Sequence, residues 1–266
     1  MKRILAFLVL LIFSGLAIGQ TDGAKNQLDS KNRKQGYWCK YYPNGKKAYE
    51  GWFKDDKPIG EFKRYHRNGE LKVIMIYSEA SPYVSTTFFN EDGKKIVNGF
   101  YKNQLKDSLW QYYSVNGNLI FEERYKNGMK NGRSRSYYSS GKIMETASYT
   151  NNNLNGLVIL FYENGLNKSI IPYSNGEIEG TMKVFYPDGT LRIEGNYKQG
   201  LKQGEWKYYD ADGKKLQTIK YTDGVAENAN ELIEKESKYM DSLIKNAGKL
   251  KEPSIDDILN SMGTKY

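Results

Sequence analysis

The segment VFYPDGTLRIEGNYKQGLKQGEW at residues 184–206 decides the fold, because residues 41–62, YYPNGKKAYEGWFKDDKPIGEF, repeat its pattern. Both run from an aromatic pair through Pro and a turn dipeptide to Glu-Gly, and then to Gly-Glu-aromatic. Steps of 24 residues from Gly45 reach a glycine in each of eight units, which extend from Gly36 to about Glu227. These turn glycines are Gly45, Gly69, Gly93, Gly117, Gly141, Gly165, Gly189 and Gly213.

Each turn glycine follows Asn, Asp or Ser. Asn-Gly and Asp-Gly tolerate the positive φ that tight hairpin turns require, so each unit is predicted to be a β-hairpin. Two further positions are aromatic in every unit, and rings at equivalent positions are expected to form two ladders that hold neighbouring hairpins in register. The first column contains Tyr41, Tyr65, Phe89, Tyr113, Tyr137, Phe161, Phe185 and Tyr209. The second contains Phe53, Tyr77, Tyr101, Tyr125, Tyr149, Tyr173, Tyr197 and Tyr221.

These columns predict an all-β fold. Tandem 24-residue hairpins over residues 36–227 are expected to form an elongated, twisted antiparallel sheet with a C-terminal α-helical cap. Small residues two positions before the second aromatic are expected to leave room for a ring or a neighbouring backbone. They are Gly51, Gly99, Ala147 and Gly195. Residues 74–87 and 166–175 depart from the repeat, and Pro172 has no N–H for a ladder, so bends or loops are expected there.

The unit pattern Gly-x-aromatic-x-x-aromatic-x-x-(Asn/Asp)-Gly, followed by aromatic-x-x-Gly-x-x-x-Gly, resembles the bacterial variant of the MORN repeat. More narrowly, the chain resembles YwqK-like proteins, which carry tandem copies and are described as antitoxin components. Good matches are Gly36-Tyr37-Trp38, Trp110, Tyr125-Lys126-Asn127-Gly128, Tyr197-Lys198-Gln199-Gly200 and Gly204-Glu205-Trp206. The resemblance implies a non-catalytic β-repeat scaffold that engages another protein or a membrane surface.

The chain begins with a basic, then apolar segment. Residues 1–19, MKRILAFLVLLIFSGLAIG, are typical of a secretory signal peptide that is cleaved before Gln20. An uncleaved membrane anchor is the alternative. Residues 20–35 contain one large apolar residue, Leu28, and are interpreted as a flexible linker. Cys39 is the only cysteine, so the chain has no internal disulfide, and a half-buried strand position is expected for it.

Residues 228–266 change to a helical pattern. Their apolar side chains fall on one helix face and include Tyr239, Met240 and Leu243. This helix is expected either to cover the exposed last strand or to bind a partner. A second short segment, residues 254–262, has the apolar trio Ile255, Ile258 and Leu259, which could dock on the repeats or on a partner.

The residues needed for common catalytic sites are missing. His66 is the only histidine, so no histidine cluster for a metal and no His-based triad is expected, and His66 is interpreted as a surface strand residue. The glycines follow the repeat and not a nucleotide-binding motif, so no cofactor is expected. Glu122 and Glu123 should point to opposite faces of a strand and therefore cannot share a proton. We do not expect an enzyme.

The aromatic residues that follow the first column are the candidate contact residues. Four units have tyrosine there, and this tyrosine stripe either binds a partner or covers the second sheet face. The four are Tyr42, Tyr138, Tyr162 and Tyr186, while other units have His66, Asn90, Ser114 or Asp210. We predict an exported scaffold for protein–protein interaction in the cell envelope, periplasm or medium, with antitoxin-like neutralisation as one version. The alternative is a glycan or cell-wall module. The net charge of +9 is dispersed, so nucleic acid is not expected as a partner, and membrane-surface contact is poorly supported.

Overall fold

The computed structural model describes residues 25–227 and 231–249. These residues form one long, open, twisted antiparallel sheet of 21 strands and a single C-terminal helix, so the predicted fold class is confirmed. The predicted signal peptide and the segment 254–262 lie outside the described residues.

The strands follow one another along the sheet in chain order. The first ten are β1 (Gln27–Leu28), β2 (Lys34–Tyr41), β3 (Lys47–Lys54), β4 (Lys57–Tyr65), β5 (Leu71–Ser78), β6 (Ser81–Phe89), β7 (Lys95–Lys102), β8 (Leu105–Tyr113), β9 (Leu119–Lys126) and β10 (Met129–Lys130). The others are β11 (Gly132–Tyr137), β12 (Ile143–Thr150), β13 (Asn153–Leu154), β14 (Gly156–Phe161), β15 (Asn167–Ser174), β16 (Glu177–Ile178), β17 (Gly180–Phe185), β18 (Leu191–Lys198), β19 (Leu201–Tyr209), β20 (Lys215–Thr222) and β21 (Val225–Ala226). The helix is α1 (Glu231–Asn246).

Two kinds of turn alternate along the two long sides of the sheet. At the predicted turns only the glycine has positive φ: Gly45 N donates to Tyr42 O at 3.0 Å, and Asn44 Oδ1 accepts from Lys46 N at 3.1 Å. The preceding Asn or Asp therefore supports the turn through its side chain and not through its φ. The two-residue turns with positive φ at both positions lie on the other side, as at Asn127 and Gly128.

The two atypical segments are regular strands, which corrects the expectation of bends or loops. Residues 74–87 form the end of β5, a two-residue turn at 79–80 and most of β6. Residues 166–175 contain β15, in which Pro172 pairs with Leu157. The Pro172 carbonyl accepts from Glu179 N at 3.1 Å. In an antiparallel strand the nitrogen and the carbonyl of one residue point to the same side, so the nitrogen of Pro172 also faces Glu179, between β16 and β17. Regular strand pairing is interrupted there, and the missing N–H of proline costs no ladder hydrogen bond.

The sheet has a buried face, here called the helix face because α1 lies on it. The second aromatic column lies on this face, but its rings do not stack on one another. Equivalent positions are two strands, about 10 Å, apart, so a ring on the intervening strand must bridge them. Trp206 does so, with its ring centroid 5.1 Å from that of Tyr197 and 5.9 Å from that of Tyr221. Trp110 bridges Tyr101 and Tyr125 in the same way.

The small-residue column makes this bridging possible. A Cβ built on Gly195 would lie 2.0 Å from Cδ2 of Trp206, and one on Gly99 would lie 2.3 Å from Cδ2 of Trp110. A Cβ on Gly51 would similarly lie 2.4 Å from Phe62. The predicted close approach is thus present, and its partner is a ring of the next strand.

Helix α1 crosses the helix face of the C-terminal units instead of covering the end of the sheet. Glu236 contacts Arg192 on β18, while Gly248 N donates to Glu145 Oε2 on β12 at 3.3 Å. The path between these contacts crosses four strand spacings, about 19 Å. Twelve helical residues rise about 18 Å. The helix therefore runs nearly perpendicular to the strands, from the last units back towards the middle of the sheet.

The described part of the predicted linker, residues 25–35, is structured. Strand β1 pairs with the start of β2, and Asp29 Oδ1 accepts from Lys31 N and Arg33 N at 2.8 and 3.0 Å. Asn26 Oδ1 accepts from Cys39 N at 2.9 Å, and Cys39 is a buried strand residue. Polar composition suggested a linker, but here side-chain-to-backbone hydrogen bonds form a turn.

Candidate binding surfaces

The tyrosine stripe connects neighbouring units. Each hydroxyl donates to the backbone carbonyl 23 residues later: Tyr42 to Tyr65 O, Tyr138 to Phe161 O, Tyr162 to Phe185 O and Tyr186 to Tyr209 O, at 2.7 to 3.0 Å. These rings are half-buried. The stripe therefore contributes hydrogen bonds between repeats, and binding by these tyrosines stays a prediction.

The non-tyrosine members of this column behave in two ways. His66 is 6% exposed, which corrects its expected surface position, and its Nε2 lies 2.9 Å from Phe89 O, so it replaces a tyrosine. Asn90 and Asp210 are shorter and instead accept from backbone N–H groups of their own turns, at 2.8 Å from Lys94 N and Lys214 N. Side-chain length thus decides whether this position supports its own hairpin or the next one.

Tyr162→Phe is expected to lower the free energy of unfolding by about 1 kcal/mol, because it leaves the ring in place but removes the donor to Phe185 O. Urea denaturation measures this change. Tyr83→Phe is the control, since that ring lies at the surface, and it should change stability by less than about 0.5 kcal/mol. Equal effects of the two substitutions would contradict an inter-repeat role for the hydroxyl.

The helix residues predicted to bind a partner are used within the chain. Met240 and Leu243 are buried against the sheet, and the Tyr239 ring centroid lies 4.3 Å from Cζ of Arg192. Arg192 also forms a two-pronged ion pair with Glu236, at 2.5 and 2.6 Å. This geometry is the strong form of an Arg–carboxylate contact. The sheet therefore holds an amphipathic helix through apolar contacts flanked by cation–carboxylate pairs.

Lysines flank the aromatic core of the helix face. Lys202 Nζ lies over Trp206 and Tyr221, bonds to Ser237 Oγ, and lies 3.8 Å from Asp241. Burial lowers the pKa of Lys202, and Asp241 opposes this shift. In the middle of the sheet, burial lowers the pKa of Lys106 to about 8, with Glu123 acting in the opposite direction.

A groove opens on the helix face beyond α1, in units 2 and 3. It has a volume of about 470 Å³ and is lined mainly by apolar side chains, with two cations at its rim. The lining includes Val73, Met75, Tyr77, Phe88 and Tyr101, with Arg64 and Lys72. We call these residues the inner groove.

The opposite face, here called the outer face, has an exposed apolar stripe in units 1 to 3. Trp52, Ile76 and Phe100 are 53%, 43% and 38% exposed and occupy one column, the position before the second aromatic. We call these three residues the outer stripe. The same column becomes polar or proline in later units, with Arg124, Ser148, Pro172, Asn196 and Lys220. Alignment of the units displays this change, because the column holds large apolar residues only in units 1 to 3.

The described residues contain no cluster of three or more His, Cys, Asp or Glu side chains that could hold a metal ion. Glu122 pairs with Arg135 at 2.6 Å, while Glu123 pairs with Lys130 at 2.8 Å and its other oxygen accepts from Tyr125 OH. Neighbouring strand residues face opposite sides, so the two carboxylates are apart, as alternation predicts. Within the described ranges, no helix is long and apolar enough to cross a membrane.

The fold and its surfaces thus define a β-hairpin repeat protein with an apolar surface on each face. Five segments match the family model of the MORN repeat variant: residues 34–55, 58–79, 130–151, 178–199 and 202–223. They correspond to units 1, 2, 5, 7 and 8, and they support a MORN-repeat protein. MORN repeats are a non-catalytic repeat type that generally binds proteins or membranes. No curated protein matches the chain.

Proposed function

We propose that the protein is an exported, non-catalytic scaffold that binds a protein partner in the cell envelope through its outer stripe. The observation that carries this proposal is the exposure of Trp52, Ile76 and Phe100 in one column. Large apolar side chains that are exposed together mark interaction sites, and aromatic residues are enriched among the side chains that dominate binding energy.

The stripe has dimensions that suit a protein segment. Neighbouring members lie two strands apart, so three members span about 20 Å. The rim of the stripe is polar. Glu61 on β4 lies opposite Ile76 on β5 and forms an ion pair with Lys63 at 2.5 Å. An apolar centre with a polar rim is typical of protein interfaces.

Export and an antitoxin-like role are linked parts of the proposal. The basic and apolar residues 1–19 support export, as argued from the sequence. An antitoxin-like version then requires a partner outside the cytoplasm. The glycan alternative relied on the tyrosine stripe, whose hydroxyls already donate to backbone carbonyls, so the outer stripe favours a protein partner.

The test captures partners on the tagged mature protein, Gln20 to Tyr266, from a native envelope extract. Trp52→Ser with Phe100→Ser is expected to reduce recovery of a stoichiometric partner at least tenfold. Arg124→Ser with Asn196→Ser, in the same column of later units, is the matched control and should recover the partner like the original chain. Thermal unfolding checks that both variants fold, and the mass of the native protein checks cleavage before Gln20.

Other outcomes would count against the proposal. A partner that is recovered equally by both double variants would bind elsewhere than the outer stripe. Retention on the cell-wall fraction, unaffected by Trp52→Ser and without a protein partner, would favour the glycan module. Detection of the uncleaved chain in the membrane fraction would replace export with anchoring.

A further inference from the structure

We propose that the C-terminal segment, residues 250–266, docks within the same molecule on the helix face of units 2 to 4 and fills the inner groove. The proposal is independent of the outer stripe, which lies on the opposite face. It rests on the direction of α1, on the cations along the helix face, and on the chemistry of the segment.

The end of α1 points towards the groove. Gly248 has a φ of +64° and ends the helix over unit 5, where Tyr149 OH donates to Gly248 O at 2.9 Å. From β12 the sheet continues through β11, β9 and β8 to β7, which is four strand spacings, about 19 Å, away. Seventeen residues can extend at most about 56 Å, so the whole groove, including β5 at about 29 Å, is within reach.

Helix α1 contacts the helix face through acidic and apolar side chains. Its acidic residues Glu236 and Asp241 meet Arg192 and Lys202, while Met240 belongs to the same buried cluster as Trp206. Equivalent positions in earlier units again carry cations. Lys72 lies five units before Arg192. Lys106 and Lys130 lie four and three units before Lys202, and there Glu123 already supplies a carboxylate, at 2.8 Å from Lys130 Nζ.

The segment has the complementary pattern. Ile255, Ile258 and Leu259 supply apolar side chains at helical spacing, as the buried Met240 and Leu243 do in α1. Glu252, Asp256 and Asp257 supply carboxylates beside them. Opposite charges would thus face Lys72 and Arg64 at the groove rim.

Oxidation of methionines by dilute peroxide, read by mass spectrometry on the full mature chain, tests this docking. Met75 lines the groove and reports whether the groove is covered. Met129 is 40% exposed and gives the reference rate for a fast-reacting methionine. Met182, buried in the cluster that includes α1, gives the reference rate for a slow one. We expect Met75 to react as slowly as Met182 in the original chain. Ile258→Asp with Leu259→Asp should raise its rate at least fivefold, while Met182 stays slow and reports that the fold is kept.

Asn260→Asp with Ser261→Asp is the matched control, because it adds the same charge beside the apolar pair and should leave Met75 slow. A Met75 that already reacts as fast as Met129 in the original chain would overturn the proposal. An equal rise in the control would also overturn it. The remaining outcome is that the segment fills the groove of a second molecule, and light scattering distinguishes this outcome. A dimer that becomes a monomer in the Ile258→Asp, Leu259→Asp variant would show docking on a second copy and would contradict docking within one chain.

Discussion

Gly195→Ala is expected to lower the free energy of unfolding by about 2–3 kcal/mol, although it adds a single methyl group. The new Cβ would lie 2.0 Å from Cδ2 and 2.3 Å from Cε2 of Trp206, well inside contact distance. The indole is fully buried between Tyr197 and Tyr221, so it has little room to move. Urea denaturation followed by tryptophan fluorescence measures the loss.

The chain itself suggests the compensating change. Two units earlier, the positions equivalent to Gly195 and Trp206 hold Ala147 and Val158, both buried. Trp206→Val should therefore make Gly195→Ala nearly neutral, with a cost below about 0.5 kcal/mol in that background. Additive effects of the two substitutions, or an unchanged stability of Gly195→Ala alone, would contradict direct packing of the glycine against the indole.

Sequence reasoning predicted the fold because its signal is periodic. The turn glycines and the second aromatic column repeat every 24 residues, and the small residue at Gly195 recurs every 48. A repeated local pattern specifies a repeated hairpin. Contacts between strands were harder to predict. The sequence places Tyr197 and Tyr221 in one column, but it does not show that two strand spacings separate them and that Trp206 lies between.

The candidate surfaces were less predictable than the fold. Tyrosine and methionine are common at contact surfaces, but Tyr162 and Met240 are both used within the chain. The Tyr162 hydroxyl donates to the carbonyl of the residue 23 positions later, and Met240 packs between the helix and the sheet. Residue type alone does not reveal such an internal partner. Trp52 shows the opposite case, since it directly precedes the aromatic Phe53 and strand alternation places its own side chain on the opposite, exposed face.

Met240→Asp is expected to release α1 from the sheet, at a cost of about 3–5 kcal/mol to the stability of the C-terminal units. Met240 is fully buried at the middle of the helix, so a carboxylate there would lose its water among apolar side chains. An isolated 16-residue helix is marginal in water. The released helix should therefore unfold, and the magnitude of the ellipticity at 222 nm should decrease when docking is lost. Ser242→Asp, at an exposed position two residues later, is the control and should change stability by less than about 0.5 kcal/mol.

The release of α1 should act locally, because repeat units are stabilised mainly by their neighbours and α1 joins the core of units 5 to 8. Calorimetry of Met240→Asp is therefore expected to show two transitions: a lower one for the units that contain Val158, Met182 and Trp206, and a nearly unchanged one for units 1 to 4. The introduced carboxylate would also make the lower transition pH-dependent, since burial raises its pKa and protonation relieves the cost of burying its charge. Acidification through that raised pKa should then restore part of the lost stability. A single transition that shifts as a whole would mean that α1 stabilises the entire sheet, and an unchanged transition would contradict the packing of Met240 against it.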